Sequence, residues 1–314
     1  MQNNQEQRLD AAESLWFKRQ LEYIKTELIE KLVPANLARM YIPTEDGVPD
    51  WVNVFTYRMI QRFGKAKIVG HDPDDIPTAD ATGQEFSKVI KTIASSYRYT
   101  IDEIKAAAAT NMPLDMQKAL SARMAIDNEL DRILAFGDTE TGMEGALNLS
   151  TVASALTPTT KTGGAPWATA GNTADEVAAD FSKILTAVVS DLQGAGGPTF
   201  QKFLVLVPIA QYGCLGMKRL GTNSDTTLLD YILSKFPWVE GIQPWARCAG
   251  AGDSSSDRMM IFPRNPLVIS AVVPREFTPL PPQERNLSFV VNATLKTAGV
   301  VSRYPIAVRY MDGI

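Results

Sequence analysis

The fold is decided by the stretch from residue 63 to residue 99, FGKAKIVGHDPDDIPTADATGQEFSKVIKTIASSYRY. It contains two strand-like runs, at 66–69 and 89–99, which enclose a polar middle at 71–83 that is rich in Pro, Asp and Gly. This arrangement predicts a long β-hairpin. A connection of that length without structure of its own is unusual inside a compact domain, and such segments are usually functional or held by a partner. We therefore expect the hairpin to project from the body of the protein.

The segment before the hairpin has the pattern of an amphipathic helix followed by an extended connection. Apolar residues recur at spacings of four and three between Phe17 and Leu32, with charged residues between them, which predicts a helix over 9–33. Pro34 ends this helix, and the Pro and Gly residues up to position 50 favour an extended connection that leads away from any compact domain. Two interpretations of the helix stay open: an arm that reaches a neighbouring molecule, or a first helix packed on its own domain.

A long helical stretch follows the hairpin. Thr100 and Glu103 have the spacing of a capping box, in which both side chains satisfy free amides at a helix N-terminus. The helical pattern is interrupted at 111–113, restarts there, and continues to a stop at Gly137. This is the longest helical stretch that the sequence predicts.

The middle of the chain predicts an α/β unit with a mixed sheet. A second capping box, Thr173 with Glu176, opens a helix whose apolar residues share one face up to Gly194. Residues 151–173, rich in Thr, Ala, Gly and Pro, are expected to form a surface loop. The later elements are expected as strands at 203–207, 239–242, 259–262, 267–273, 287–295 and 300–304, and as helices at 209–220 and 226–236.

Composition describes an ordinary globular chain. Its 314 residues are enough for about two compact units. Because the net charge of -4 provides no basic field for phosphate groups, we do not expect tight DNA binding. The sequence shows neither a secretory signal nor an apolar run near the roughly 20 residues that span a bilayer, which predicts a soluble protein made in the cytosol. Cys214 and Cys248 are too few for a disulfide framework, so both are expected to be reduced core residues.

No residue pattern predicts a catalytic, cofactor-binding or metal site. The single histidine, His71, lies in the polar loop, and no nucleophile motif exists to complete a triad. A calcium loop begun at Asp72 would place Pro77 where glycine is required and Gly83 where glutamate is required. The glycines at 194–197 lie between a helix and a strand, the reverse of the order in a phosphate-binding loop. We therefore expect no enzyme, no cofactor and no metal ion.

Two further motifs carry a family resemblance. The stretch 136–148, FGDTETGMEGALN, is a glycine-punctuated turn that ends in Gly-x-x-Asn. The stretch 299–307, GVVSRYPIA, is a strand that runs into Pro-x-Ala near the C-terminus. Both motifs, together with the order of arm, hairpin, long helix, α/β middle and long terminal strands, resemble the Hong Kong 97-like capsid fold. That fold is shared by tailed-phage major capsid proteins and by encapsulins.

The resemblance implies an α+β fold with four parts. Residues 1–60 would be an N-terminal arm, and residues 61–99 the extended hairpin loop. A peripheral domain built on a long spine helix would comprise 100–171 and 271–305. An axial α/β domain would comprise 172–270 and 306–314.

The resemblance also implies a function and partners. Copies of the chain would assemble as hexamers and pentamers into an icosahedral virion shell, made in the host cytoplasm, that encloses double-stranded DNA without sequence-specific binding and without a membrane. The sequence lacks a long charged N-terminal scaffold region, so the resemblance implies a separate scaffolding protein, or none, together with a portal. Lys65 and Lys67 are expected to be solvated or interface charges, since no local pattern marks them for the cross-link known in one branch of the family.

Two alternatives remain open at the level of sequence. The first is an encapsulin-like nanocompartment, in which the same fold encloses an enzyme cargo. The second is a soluble α/β enzyme with an unrecognised carboxylate site, which predicts a discrete small oligomer.

Overall fold

The computed structural model describes residues 36–68, 76–110, 114–164, 166–194, 202–221 and 225–314. They belong to one unit, Asn36–Ile314. The helix predicted at 9–33, the interruption at 111–113 and His71 lie outside the described residues.

The helices and strands of the described ranges are numbered here in chain order. The α-helices are α1 (Ala38–Tyr41), α2 (Ile101–Thr110), α3 (Leu114–Phe136), α4 (Ala174–Gly194), α5 (Ile209–Met217) and α6 (Leu228–Lys235). The strands are β1 (Thr44–Glu45), β2 (Val54–Phe63), β3 (Asp80–Val89), β4 (Lys91–Thr100), β5 (Gly137–Asp138), β6 (Met143–Glu144), β7 (Phe203–Val207), β8 (Val239–Pro244), β9 (Arg258–Phe262), β10 (Ile269–Val272), β11 (Arg275–Pro279), β12 (Gln283–Arg285), β13 (Ser288–Thr297), β14 (Gly299–Ser302) and β15 (Arg309–Asp312).

A long hairpin is present, but its strands are not the predicted ones. β2 pairs antiparallel with β3, from Val54 opposite Val89 to Phe63 opposite Asp80. The strand predicted at 66–69 is wrong for residues 66–68, which continue beyond β2 without strand structure, while Val69 lies outside the described residues. The strand predicted at 89–99 is present as β4, but its predicted role as the return strand of the hairpin is wrong, since β4 pairs with β13 and β3 closes the hairpin.

A single buried residue explains this difference. Ile90 separates β3 from β4, is 6% exposed, and packs with Val272, Ala298 and Val301. The chain therefore leaves the hairpin and enters another sheet at Ile90. Residues on both sides of it are compatible with strands, so periodicity alone does not show where the pairing partner changes.

The long terminal strand β13 organises the sheet that packs on α3. It pairs with β4 over ten residues, from Thr297 opposite Lys91 to Ser288 opposite Thr100. β11 and β12 follow one another along the other edge of β13. Alternate residues of β13, Val291, Ala293 and Leu295, are buried, and the strand contacts α3. The predicted long helix and terminal strand thus form two packed layers.

A second sheet has the strand order β15-β9-β7-β8. β7 runs parallel to β8 and antiparallel to β9, and all five of its residues are buried. α5 and α6 contact β8, and α4 contacts β15. The mixed sheet predicted for this region is confirmed, and the C-terminal strand β15 returns to join it.

Both predicted capping boxes are present. At α2, Glu103 N donates to Thr100 Oγ1 at 3.2 Å and Thr100 N donates to Glu103 Oε2 at 3.1 Å. At α4, the corresponding distances between Thr173 and Glu176 are 3.3 and 2.8 Å. Each box satisfies amides that the first turn of a helix leaves without a backbone partner.

The capping box of Glu176 is expected to make the stability of the protein depend on pH. Hydrogen bonds from the Thr162 hydroxyl and from the Thr173 and Thr162 amides lower the pKa of Glu176 from 4.5 to about 2. Because the pKa is lower in the folded state, the cap stabilises the protein above pH 4.5 and this contribution is lost as the pH falls towards 2. We expect E176Q to lower the urea midpoint at pH 7, and the gap to wild type to shrink at pH 4 and again at pH 2.5. An equal gap at all three pH values, or the same trend in the control E240Q on β8, would contradict this account.

The turn after α3 gives the physical reason for the glycine motif. Gly137 has a φ of +71°, in the left-handed region. A Cβ on Gly145 would lie 2.3 Å from Gly137 N, and a Cβ on Gly299 would lie 2.6 Å from the carbonyl oxygen of Glu144. Asn148 closes the turn, because its Oδ1 accepts from Gly145 N at 2.9 Å and its Nδ2 donates to the last carbonyl of α3. Glycine is required where the backbones approach this closely.

The expectation of an extended connection up to position 50 is wrong for residues 36–45. Ala38 and Ile42 are fully buried, and β1 pairs parallel with β10. Ala38 N also donates to Asp131 Oδ1 on α3 at 2.9 Å. A four-residue helix is too short to show a helical period, so the sequence pattern missed it.

The expectation of a surface loop at 151–173 is also wrong in part. Trp167 is fully buried and its ring packs on Phe181 of α4, with centroids 5.2 Å apart. The Lys161 side chain is 1% exposed and forms a 2.7 Å ion pair with Asp180 of α4. The segment therefore contributes to the core, although its composition is that of a loop.

Candidate assembly surface

The outer half of the hairpin carries exposed apolar side chains on a two-stranded ribbon. We call residues 60–68 and 76–85 the distal hairpin; all of them except Pro77 are exposed. Ile60 is 67% exposed and Phe63 is 53% exposed. β2 and β3 form a sheet of their own in the described structure. An isolated two-stranded ribbon is only marginally stable in water, and its edges present unpaired backbone groups to other chains.

The inner half of the hairpin is held by an aromatic cluster. The rings of Tyr57 and Phe86 stack with centroids 5.4 Å apart, and Phe55 lies 6.3 Å from Tyr57. The guanidinium carbon of Arg303 lies 5.9 Å from the Phe55 centroid and 5.8 Å from the Tyr57 centroid. Tyr57 Oη also donates to the carbonyl oxygen of Ser302 at 3.4 Å. One face of the inner half is therefore attached to the body.

An ion pair holds the other strand of the hairpin. Lys88 Nζ lies 2.8 Å from Glu144 Oε2, and Ser150 Oγ donates to the other carboxylate oxygen. Burial raises the pKa of Glu144, but the hydrogen bonds from Lys88 and Ser150 and the charge of Lys88 outweigh it, so the pKa lies below its ordinary value. Glu144 is therefore charged at neutral pH, and the ion pair with Lys88 is maintained.

The described residues contain no group of three His, Cys, Asp or Glu side chains placed to hold a metal ion. Cys214 and Cys248 are buried free thiols, as predicted, and burial raises the pKa of both. Lys65 is exposed on the distal hairpin. No helix in the described ranges is long and apolar enough to cross a membrane.

Sequence motifs did not identify the residues that anchor the hairpin. Arg303 lies within a quoted motif, but the motif was assigned to a strand and not to a contact with the hairpin. Lys88 and Glu144 are 56 positions apart. No sequence pattern selects this pair, because Lys88 lies between two further charged residues, Glu85 and Lys91.

The fold and this surface define a class of protein: a structural subunit with an exposed hairpin suited to contacts with further copies. The model of the major capsid protein family matches residues 64–314. The chain belongs to the major capsid protein family, and it is a structural component of the virion shell. A comparison with curated protein sequences gives no match.

Solved structures share the fold at low sequence identity. The capsid of Myoviridae phage XM1 aligns with a TM-score of 0.77 and 18% identity, over 94% of this chain and 98% of that chain. The structure from Mycobacterium phage Bobi aligns with a TM-score of 0.59 and 14% identity, over 93% of this chain and 94% of that chain. A virus-like particle from Pyrococcus furiosus aligns with a TM-score of 0.52 and 13% identity, over 87% of this chain and 90% of that chain. The Hong Kong 97-like, mixed helix and sheet fold that the sequence predicted is thereby confirmed.

Proposed function

We propose that copies of this chain assemble through the distal hairpin into hexamers and pentamers of an icosahedral shell, and that this shell encloses double-stranded DNA. The observation that carries the proposal is the exposure of Ile60 and Phe63 on a ribbon that, within the described ranges, is a sheet of two strands only. Burial of these side chains on a neighbouring copy removes apolar surface from water. Many such contacts, repeated by symmetry, close a container.

The proposed relation to DNA is enclosure without tight binding. The chain carries 31 basic and 35 acidic residues. Binding that depends on phosphate contacts requires clustered Lys and Arg and weakens steeply with salt. An acidic subunit supplies few such contacts, which suits a duplex that must move during packaging. A separate scaffolding protein and a portal belong to the same proposal.

The proposal assigns a structural role with no catalytic activity. Its support is the major capsid protein family to which the chain belongs. A soluble enzyme of this size would instead be expected to form a small, discrete oligomer.

We also propose a division of the chain into four parts. The extended loop comprises the hairpin from Val54 to Val89, so it begins earlier than the expected position 61. The N-terminal arm, expected at 1–60, is confined to residues before Asn36, which is supported by the burial of Ala38 and Ile42. The peripheral domain keeps residues 100–171 and 271–305 and gains β4, which pairs with β13, and the axial domain keeps 172–270 and 306–314.

A second candidate is an encapsulin-like compartment with a protein cargo. It is favoured by the shared fold of the Pyrococcus furiosus virus-like particle, at a TM-score of 0.52. The match to the major capsid protein model favours the viral shell. The content of purified particles distinguishes the two: nuclease-protected DNA supports the viral shell, and a stoichiometric protein cargo supports the compartment.

The experiment that tests assembly needs only the purified chain. We expect size-exclusion chromatography with light scattering to show species of roughly megadalton mass, and negative-stain microscopy to show rings, shells or tubes. A monomer or dimer under all conditions, also with a scaffolding partner added, would overturn the proposal.

A further inference from the structure

The hairpin is attached to the body through both members of one cross-strand row. Phe55 on β2 lies directly opposite Lys88 on β3. Phe55 lies beneath the guanidinium of Arg303, with 5.9 Å between the guanidinium carbon and the ring centroid. Lys88 forms its 2.8 Å ion pair with Glu144. The two strands are thus held from two different parts of the body at the same distance along the hairpin.

Each anchoring group is itself held in place. Arg303 Nη1 donates to the carbonyl oxygen of Pro266 at 2.7 Å, and Arg303 Nη2 lies 2.9 Å from Glu45 Oε1. The side chain of Arg303 is only 16% exposed. Glu144 is held by Ser150 and by the turn that Gly299 approaches. Neither anchor can move without breaking contacts inside the body.

The contacts with the body end shortly beyond this row. The next inward-facing row is Tyr57 opposite Phe86, which carries the stacked rings. From the pair Ile60 and Gly83 outwards, every strand residue of the hairpin is exposed. The outer part of the hairpin therefore takes its direction from the inner part.

We propose that the row of Phe55 and Lys88 is a fulcrum, at which Arg303 and Glu144 together set the direction of the distal hairpin and thereby the curvature of the shell. This inference rests on the proposed function. Anchors on both strands resist rotation about the hairpin axis as well as swinging, which one anchor alone would not do. Phe63 lies eight positions after Phe55 on β2, or roughly 27 Å along the strand. A rotation of roughly 10° at the fulcrum displaces the outer end by roughly 5 Å, more than a close-packed contact between copies can absorb.

The test removes the ion pair and shortens the side chain by only one heavy atom. K88M takes away the charge of Lys88, and K91M takes away an exposed charge on β4, three residues away, that forms no ion pair within the described part of the chain. Two readouts are used: hydrogen exchange of the hairpin amides in unassembled subunits, and the distribution of particle diameters by electron microscopy. K88E/E144K restores an ion pair with the charges exchanged.

We expect K88M to raise the exchange rate of hairpin amides in 54–63 and 80–89 by roughly three- to tenfold, the loss expected for a partly buried ion pair, and to broaden the particle diameters. K91M should match wild type in both readouts, and K88E/E144K should return both towards wild type. Unchanged exchange and diameters in K88M, or a defect that the charge exchange does not reduce, would overturn the fulcrum.

The proposed assembly and the proposed fulcrum can be refuted independently of one another. Wild-type subunits that never form particles would refute assembly, while hydrogen exchange in those same subunits still reports whether Lys88 and Glu144 hold the hairpin. R303K provides a second, conservative variant: it keeps the charge but not the planar group over the rings. It is expected to raise hairpin exchange as K88M does, and wild-type exchange in R303K would contradict the role given to Arg303.

Discussion

Replacing Asp180 with alanine is expected to lower the free energy of unfolding by about 3–5 kcal/mol, the cost of leaving a buried charge without its partner. Asp180 has no solvent exposure. Its carboxylate receives four contacts, each of 2.7 Å: from the Thr159 amide, the Thr159 hydroxyl, Trp167 Nε1 and Lys161 Nζ. The substitution leaves the ammonium of Lys161 buried and removes the acceptor that holds Trp167 in the core.

The effect is measured by urea unfolding of unassembled subunits, followed by tryptophan fluorescence and circular dichroism. D175A is the matched control, because Asp175 lies exposed in the first turn of the same helix. The free energy of unfolding of D175A is expected to fall by less than about 1 kcal/mol, the range of a charge near a helix N-terminus.

The double variant K161M/D180L distinguishes the cost of the unpaired buried charge from the cost of the lost hydrogen bonds and packing. It removes both buried charges, so part of the stability lost in D180A should return. Recovery stays incomplete because Thr159 and Trp167 still lack their acceptor. A loss in D180A no larger than that of D175A would refute the role given to this ion pair.

Introducing polar groups on the distal hairpin is expected to weaken shell formation strongly while the subunit stays folded. In I60D/F63S, both changed side chains are more than half exposed in the isolated chain, so unfolding should change by no more than about 0.5 kcal/mol. A neighbouring copy that buries these positions would meet a carboxylate and a hydroxyl without partners. We expect the protein concentration required for assembly to rise by about 100-fold, about tenfold for each position.

Light scattering at increasing protein concentration measures this threshold. I60V/F63L keeps apolar side chains at both positions and should assemble as wild type does. Assembly of I60D/F63S at the wild-type concentration would show that the exposed apolar residues of the hairpin do not make the contact between copies.

Local patterns predicted the elements that local physics controls. The face of α4 formed by Val177, Phe181 and Ile184 is buried as its spacing indicated. Thr100 and Glu103 cap α2 through contacts three residues apart, which a sequence displays directly. The glycines of the turn after α3 marked places where backbones approach closely, and the order of these elements was enough to indicate the capsid fold.

These local patterns did not show which strands pair with one another. The sequence predicted one strand at 89–99, yet Ile90 lies where the chain leaves the hairpin and enters the sheet of β13. A strand's alternation shows which residues share a face and not which strand lies beside it. The short helix α1 was missed for a related reason, since four residues span barely one turn.

For the hairpin, too, one part was predictable from the sequence and another part only from the tertiary structure. That a hairpin precedes the long helix, and that it has reason to project, followed from the sequence by itself, because composition and alternation are local properties of the chain. Which residues hold it was decided only by the tertiary structure, in which Lys88 meets Glu144 and Arg303 covers Phe55. These partners are distant in sequence, and a charged or aromatic side chain has many possible partners until folding places one of them within reach.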